Sequence, residues 1–152
     1  MSAVEAIDGV RVVVLKKVVN ARGHLTEVQR ADDDHFIGFG QAYVTCTLPG
    51  VIKAWYRHHE QIDQIAAVRG MARLVLFDDR QDSPTAGRTQ QCVLSDELPT
   101  LVQIPPGVWH GFQARGPEPL LLLHLNSMPQ DTNHPDEDRL PPDSTGIPYA
   151  WR

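Results

Sequence analysis

Four side chains in this sequence can hold or move a proton and are spaced so that a fold can gather them: Tyr56, His58, Asp63 and His110. Tyr56 and His58 are two residues apart, so on a strand they share one face. Asp63 follows after a short connection, Gly70 closes that segment, and His110 follows the turn-forming Pro105-Pro-Gly. An imidazole beside a carboxylate is a general acid or base near neutral pH. A phenol, with an ordinary pKa of about 10, serves as base only if cations lower it by several units. Two histidines and one carboxylate also form the set that holds non-haem iron or manganese with open coordination positions. His58, Asp63 and His110 are therefore alternative metal ligands, and Tyr56 can join them on oxidised iron. Proton transfer and metal binding both stay open on these residues. So do the plainer assignments, with His58 an exposed strand histidine beside His59, His110 a satisfied core group and Tyr56 a wall residue.

The elements that must position these groups read as strands. In Gln41–Leu48, the residues Ala42, Val44, Cys46 and Leu48 alternate with Gln41, Tyr43, Thr45 and Thr47, the pattern of a half-buried strand. Val10, Val12 and Val14 alternate likewise, and Met71–Phe77 reads as a strand closed by the turn-rich Asp78–Pro84. Shorter runs follow at Gln90–Leu94, Thr100–Ile104, Trp109–Gln113 and Leu120–Leu125, with Gly and Pro between them. No helical period is sustained. Many short strands at this spacing predict an all-β jelly roll in one domain over residues 1–152, with the barrel in 1–127. From 128 to 152 the composition turns rich in proline, which excludes central strands and a long helix. The apolar end Ile147–Trp151 must pack on the barrel or on a second subunit.

Composition narrows the function. The 152 residues are 41% hydrophobic, enough for one core, and carry a net charge of −5, which argues against a nucleic-acid surface. No apolar run approaches the ~20 residues that span a bilayer. The start resembles no secretory signal, so the expectation is a soluble cytoplasmic protein without a membrane partner. Cys46 and Cys92 match no disulfide framework or metal spacing and read as buried reduced thiols.

The motifs carry a resemblance. The spacing from Gly50 through Tyr56, His58, Asp63 and Gly70, then Pro105, Gly107 and His110, resembles a cupin jelly-roll barrel. Gln41, Gly50-Val-Ile-Lys-Ala-Trp55, Gln61, Phe77-Asp-Asp-Arg-Gln-Asp-Ser-Pro-Thr85 and Ile104-Pro-Pro-Gly-Val-Trp-His-Gly-Phe112 resemble the dTDP-4-dehydrorhamnose 3,5-epimerase family of cupins. Ala21-Arg-Gly23 and Gly146-Ile-Pro-Tyr-Ala-Trp151 extend the resemblance from about residue 20 to the end.

That resemblance implies an isomerase acting on a 4-keto deoxysugar nucleotide, without a cofactor, by removing a proton next to the ketone and returning it to the other face. Such chemistry needs a base, a donor or cation for the enolate oxygen, and an acid across the ring. In the family these are a histidine paired with an aspartate, a lysine and a tyrosine. Carried across, the base position falls on Tyr56, the lysine position on Asp63 and the paired aspartate on Asp143, while the tyrosine's region, 126–128, holds none. The expected rearrangement has His58, Tyr56 and His110 carrying protons with Asp63 or Asp143 orienting them. A non-catalytic sugar-nucleotide-binding cupin is the third alternative.

Supporting positions follow from cations, aromatics and family place. Arg22, Lys53 and Arg73 can meet a nucleotide diphosphate. Lys53 has the opposite strand parity to Tyr56, so both face one pocket only if the strand bulges near Ala54. Trp55 and Trp109 either stack on a base or fill the core, and Gln41, Gln61 and Phe112 are wall candidates. Arg80 reads as an ion pair fixing its turn. The resemblance also implies a homodimer.

Overall fold

The computed structural model describes residues 6–152. Among them the chain forms twelve strands and no helix: β1 (Arg11–Val14), β2 (Lys16–Asn20), β3 (Gly23–Glu27), β4 (Gln41–Thr47), β5 (Ile52–His58), β6 (Asp63–Arg69), β7 (Met71–Asp78), β8 (Thr89–Ser95), β9 (Thr100–Ile104), β10 (Val108–Arg115), β11 (Leu120–Asn126) and β12 (Glu137–Arg139). The first sheet has the order β1-β9-β6-β11-β4, the second β12-β5-β10-β7-β8, and β2-β3 stand apart as a hairpin. All pairings are antiparallel. The two sheets pack face to face as a jelly roll. Between the sheets Leu74, Leu76, Leu94, Val102, Ile104, Leu120 and Leu122 form the buried core, which reaches the site itself, since Leu76 pairs with His110 and Ile104 with Asp63.

A second apolar cluster lies on the outer face of the second sheet. Trp55, Val75, Phe77 and Trp109 are covered there by the C-terminal segment, through Leu140, Ile147, Tyr149 and Trp151. Gly111 permits this approach, because a Cβ at that position would collide with Ala54 and press on the Trp151 ring. Burying each such side chain contributes roughly 1.5–3 kcal/mol, enough to hold the strandless segment that follows the short edge strand β12.

On the first sheet the sidedness of β4 differs from a simple half-buried strand. Tyr43, Thr45 and Thr47 point inward, whereas Val44 is 57% and Leu48 64% exposed. The inward face of β4 is a polar cavity wall, so its apolar face is the one turned out. Of the alternating valines near the start, only Val10 packs against the core, because β1 is an edge strand pairing β9 alone. Cys46 belongs to the outward set of β4 and is exposed, and Cys92 is half-buried; neither is the enclosed thiol that strand pattern suggests.

Candidate active site

The site is built by β5, β6 and β10. β10 pairs β5 with His110 opposite Tyr56 and Phe112 opposite Lys53, so β5 carries one extra residue between those pairs. This bulge reverses the parity of Lys53, and Lys53 and Tyr56 both line the cavity between the sheets. Before His110, Gly107 takes φ +84°, a left-handed conformation that glycine adopts without a Cβ penalty, and the Arg80 side chain lies against it.

Three side chains meet at the cavity floor. Asp63 Oδ2 lies 2.7 Å from His110 Nε2 and 3.2 Å from His58 Nε2. Its other oxygen accepts a hydrogen bond of 2.6 Å from Gln61 Nε2. The far nitrogens of both rings face carbonyls: His58 Nδ1 is 2.7 Å from Asp136 O and His110 Nδ1 is 3.2 Å from Val108 O. Asp63 and His110 are buried. Burial alone would raise the Asp63 carboxyl, but the hydrogen bonds and charges of His110 and His58 hold it far below the usual carboxylate range. Burial likewise opposes charge on His58, yet the bond to Asp63, its negative charge and the Asp136 carbonyl push the imidazole above its ordinary value. The Tyr56 ring stands beside this cluster, 6.3 Å from the His110 ring, with the Arg139 guanidinium 5.6 Å from its centroid.

The cavity holds about 430 Å³ and is walled on the opposite side by β4 and β11. There the Tyr43 ring stacks on His124 at 4.5 Å, and His124 Nε2 is 2.8 Å from the Thr45 hydroxyl. Burial pushes the His124 imidazole down to about 4, so it is neutral at physiological pH. Asn126 Nδ2 donates to the Tyr43 phenol oxygen at 3.4 Å. The roof is the segment from Met128 to Arg139.

Asp136 is a residue that sequence reasoning missed. Its carboxylate accepts from the amides of His59, Glu60 and Gln61 at 2.9–3.0 Å while its carbonyl holds His58. A lone aspartate in a proline-rich stretch carries no local signal of that reach across the chain. Tyr43, His124 and Asn126 drew no role from the sequence, because alternation shows that side chains share a face but not that the face lines a cavity.

The fold gathers Tyr56, His58, Asp63, His110, Gln61, Lys53 and Phe112 around one cavity. Other sequence candidates lie elsewhere. Asp143 is in the C-terminal segment beside Ser144 and Tyr149, outside the cavity lining, because the chain crosses to the outer face of the second sheet before reaching it. Trp55 is wholly buried in the outer cluster, with Trp109 beside it, so both belong to packing. Arg73 reaches the Tyr149 hydroxyl at 3.2 Å on that same outer side. Gln41 stands at the rim, where its side chain accepts from the Gln130 amide at 2.9 Å. Arg22 is exposed at the turn of the β2–β3 hairpin, away from this chain's own cavity. Arg80 fixes its turn through a 2.8 Å pair with Asp78.

A jelly roll with a histidine–carboxylate cluster in the mouth between its sheets is a cupin. The model of the dTDP-4-dehydrorhamnose 3,5-epimerase family matches residues 5–139. The chain is 41% identical over 147 residues to the probable low-salt glycan biosynthesis epimerase Agl13 of Haloferax volcanii, covering 95% of this chain and 94% of that protein. It is 39% identical over 145 residues to the spore coat polysaccharide biosynthesis protein SpsL of Bacillus subtilis, covering 95% and 96% respectively. The crystal structure of a dTDP sugar isomerase from Desulfovibrio desulfuricans G20 superposes with a TM-score of 0.91 at 33% identity, over 95% of this chain and 92% of that one. This protein therefore belongs to the dTDP-4-dehydrorhamnose 3,5-epimerase family, the sugar-nucleotide epimerases built on the cupin fold. Among the described residues, no helix is long and apolar enough to cross a membrane.

Proposed function

We propose that this protein epimerises a 4-keto deoxysugar nucleotide by moving a proton at a carbon next to the ketone, in the cavity between the sheets. The observation that carries this reading is the buried His58–Asp63–His110 cluster under a cavity of about 430 Å³, a volume suited to a small organic ligand. Each imidazole lies between two hydrogen-bond acceptors, so its bonding is complete only with a proton on both nitrogens. The arrangement therefore favours the protonated pair, and the ring that takes a proton from carbon does so by turning one nitrogen from its present acceptor toward the substrate. Two protonated rings on one carboxylate leave a net positive charge facing the cavity, which stabilises the enolate oxygen as it forms. In this way a carboxylate at position 63 is compatible with enolate chemistry.

His58 and His110 act as proton carriers with Tyr56 beside them, and Asp63 orients both rings; Asp143 takes no part. Lys53 meets the negative nucleotide moiety at the mouth, while Gln61 and Phe112 shape the wall. The reaction requires no cofactor. Incubation with dTDP-4-keto-6-deoxyglucose in heavy water is expected to place deuterium at the carbons flanking the ketone, and a substrate recovered without deuterium overturns the reading.

The working unit we propose is a cytoplasmic homodimer. Val19 is 70%, Leu25 58%, Val44 57% and Leu48 64% exposed, and a lone two-stranded hairpin is marginal in water unless something covers it. Arg22 at the hairpin turn then meets substrate in the partner's cavity rather than its own. Light scattering should give twice the chain mass, and Leu25→Asp should return the monomer; a monomeric parent protein removes this part.

One observation favours a second reading. Ligand atoms of His58, Asp63 and His110 lie within 4.8 Å of one another, and both Nδ1 atoms back onto carbonyls as in metal-bound histidines. The donor set fits iron or manganese, which would polarise the substrate carbonyl as a Lewis acid. Elemental analysis of chelator-free protein decides it: metal near one per chain supports this reading, and metal far below that, with no gain in activity on adding iron or manganese, removes it.

A further inference from the structure

Inverting a carbon requires proton-transfer groups on both faces of the sugar ring, yet Tyr56, His58 and His110 all stand on the second sheet. The facing wall offers few acids. Its amide, Asn126, has no acidic proton; the Thr45 hydroxyl is far too weak an acid and is engaged with His124; and His124 is a buried neutral imidazole. Tyr43 remains.

We propose, resting on the epimerase reading above, that Tyr43 is the catalytic acid that returns the proton to carbon from the side opposite the histidines. Its strand β4 lies two strands from β6, which carries Asp63. Strand spacing therefore separates their backbones by roughly 10 Å, room for a sugar ring between them. The ring is held by its stack on His124, at an interplanar angle of 13°. Because Asn126 donates to the phenol oxygen, the phenol's own proton is free to point into the cavity. Burial first, and the negative charge of Asp63 with it, raises the Tyr43 phenol, so the group is protonated before each turnover. At 39% exposure the side chain also reaches water, from which it can recover a proton.

The proton balance closes without another reactant. The C–H bond breaks toward the imidazole pair and leaves its electrons in the enolate. A new C–H bond then forms on the other face with the Tyr43 proton, leaving a phenolate. Solvent restores the phenol and removes the proton held by the histidines.

The test is Tyr43→Phe assayed in heavy water with dTDP-4-keto-6-deoxyglucose, following deuterium incorporation and the inverted product separately. The change deletes one long hydrogen bond, and the melting temperature is the folding control. The variant is expected to lose at least about 100-fold in formation of the inverted product, the range of a general acid. Deuterium exchange with retained configuration should persist within about tenfold of the parent rate. An unchanged inversion rate overturns the proposal, and so does equal loss of exchange and inversion, which would mark Tyr43 as a binding group. Absence of exchange in the parent protein instead sinks the epimerase reading itself, and Tyr43 with it.

Discussion

Two aspartates, Asp63 and Asp78, are both buried and both held well below the usual carboxylate range, yet only Asp63 lines the cavity. Asp78 accepts from the Arg80 guanidinium at 2.8 and 2.9 Å and from the hydroxyls of Ser83 and Thr85 at 2.6 Å each. Its cation keeps its proton at any ordinary pH, and the hydroxyls are far too weakly acidic to give theirs. Asp63 is bonded instead to two imidazoles and an amide. Imidazoles exchange protons near neutrality, so the same low-lying carboxylate becomes an adjustable part of a cavity floor. The partners, rather than burial, separate a structural knot from a cluster that can exchange protons. Asp136 stands between the two: its carboxylate is fastened by three amides, while its carbonyl holds His58.

Substitutions can break this contrast in order of size. Asp63→Asn removes the charge that holds both imidazoles and should cost on the order of 1,000-fold in deuterium exchange by the folded fraction, with a loss of stability beside it because the histidines lose their partner; activity within tenfold of the parent would erase the distinction. Asp78→Asn should cost stability alone, about 3 kcal/mol in denaturant titrations because Arg80 loses its partner, while the folded fraction keeps its activity. Asp136→Ala should show both effects mildly, with activity down about tenfold; Asp136→Asn should recover part of it.

The smallest effect is in the pH dependence of stability. The His58 value is raised above its unfolded one, so its contribution is complete below about pH 6.5 and is lost as pH rises through the folded value. Asp63 and Asp78 are depressed, so their contributions are present above about pH 3.9 and are lost as pH falls. Arg80, raised by Asp78, adds no alkaline loss in this range. Melting temperature should therefore fall modestly from neutral toward alkaline pH in the parent protein and in Asp78→Asn. Asp63→Asn should flatten that limb, and identical slopes in all three would contradict the assignment.

Much of the frame was legible before any coordinates. Thr100–Ile104 is a strand over those same residues, and Met71–Asp78 and Leu120–Asn126 extend their expected runs by one residue each. Alternation and turn residues carry that information locally. The bulge that lets Lys53 and Tyr56 share a cavity was legible as a condition, and the β5–β10 register supplies it. Short edge elements were less visible, because β12 has only three residues and is a strand solely through pairing with β5. The sidedness of β4 was not legible either, since the alternating pattern is the same whether the apolar set meets a core or is left for a partner.

By itself the order of residues determined an all-β chain with a histidine, a tyrosine and a carboxylate near one another and a second histidine after a tight turn. Those features depend on period-two patterning and on the backbone limits of proline and glycine, which act within a few neighbours. Only the tertiary structure decided that Asp63 rather than Asp143 serves the histidines, that Tyr43 faces them across the cavity, and that Asp136 fastens His58 from the roof. Those relations are made between strands far apart in the chain, where hydrogen-bond distance, and not sequence spacing, selects the partner.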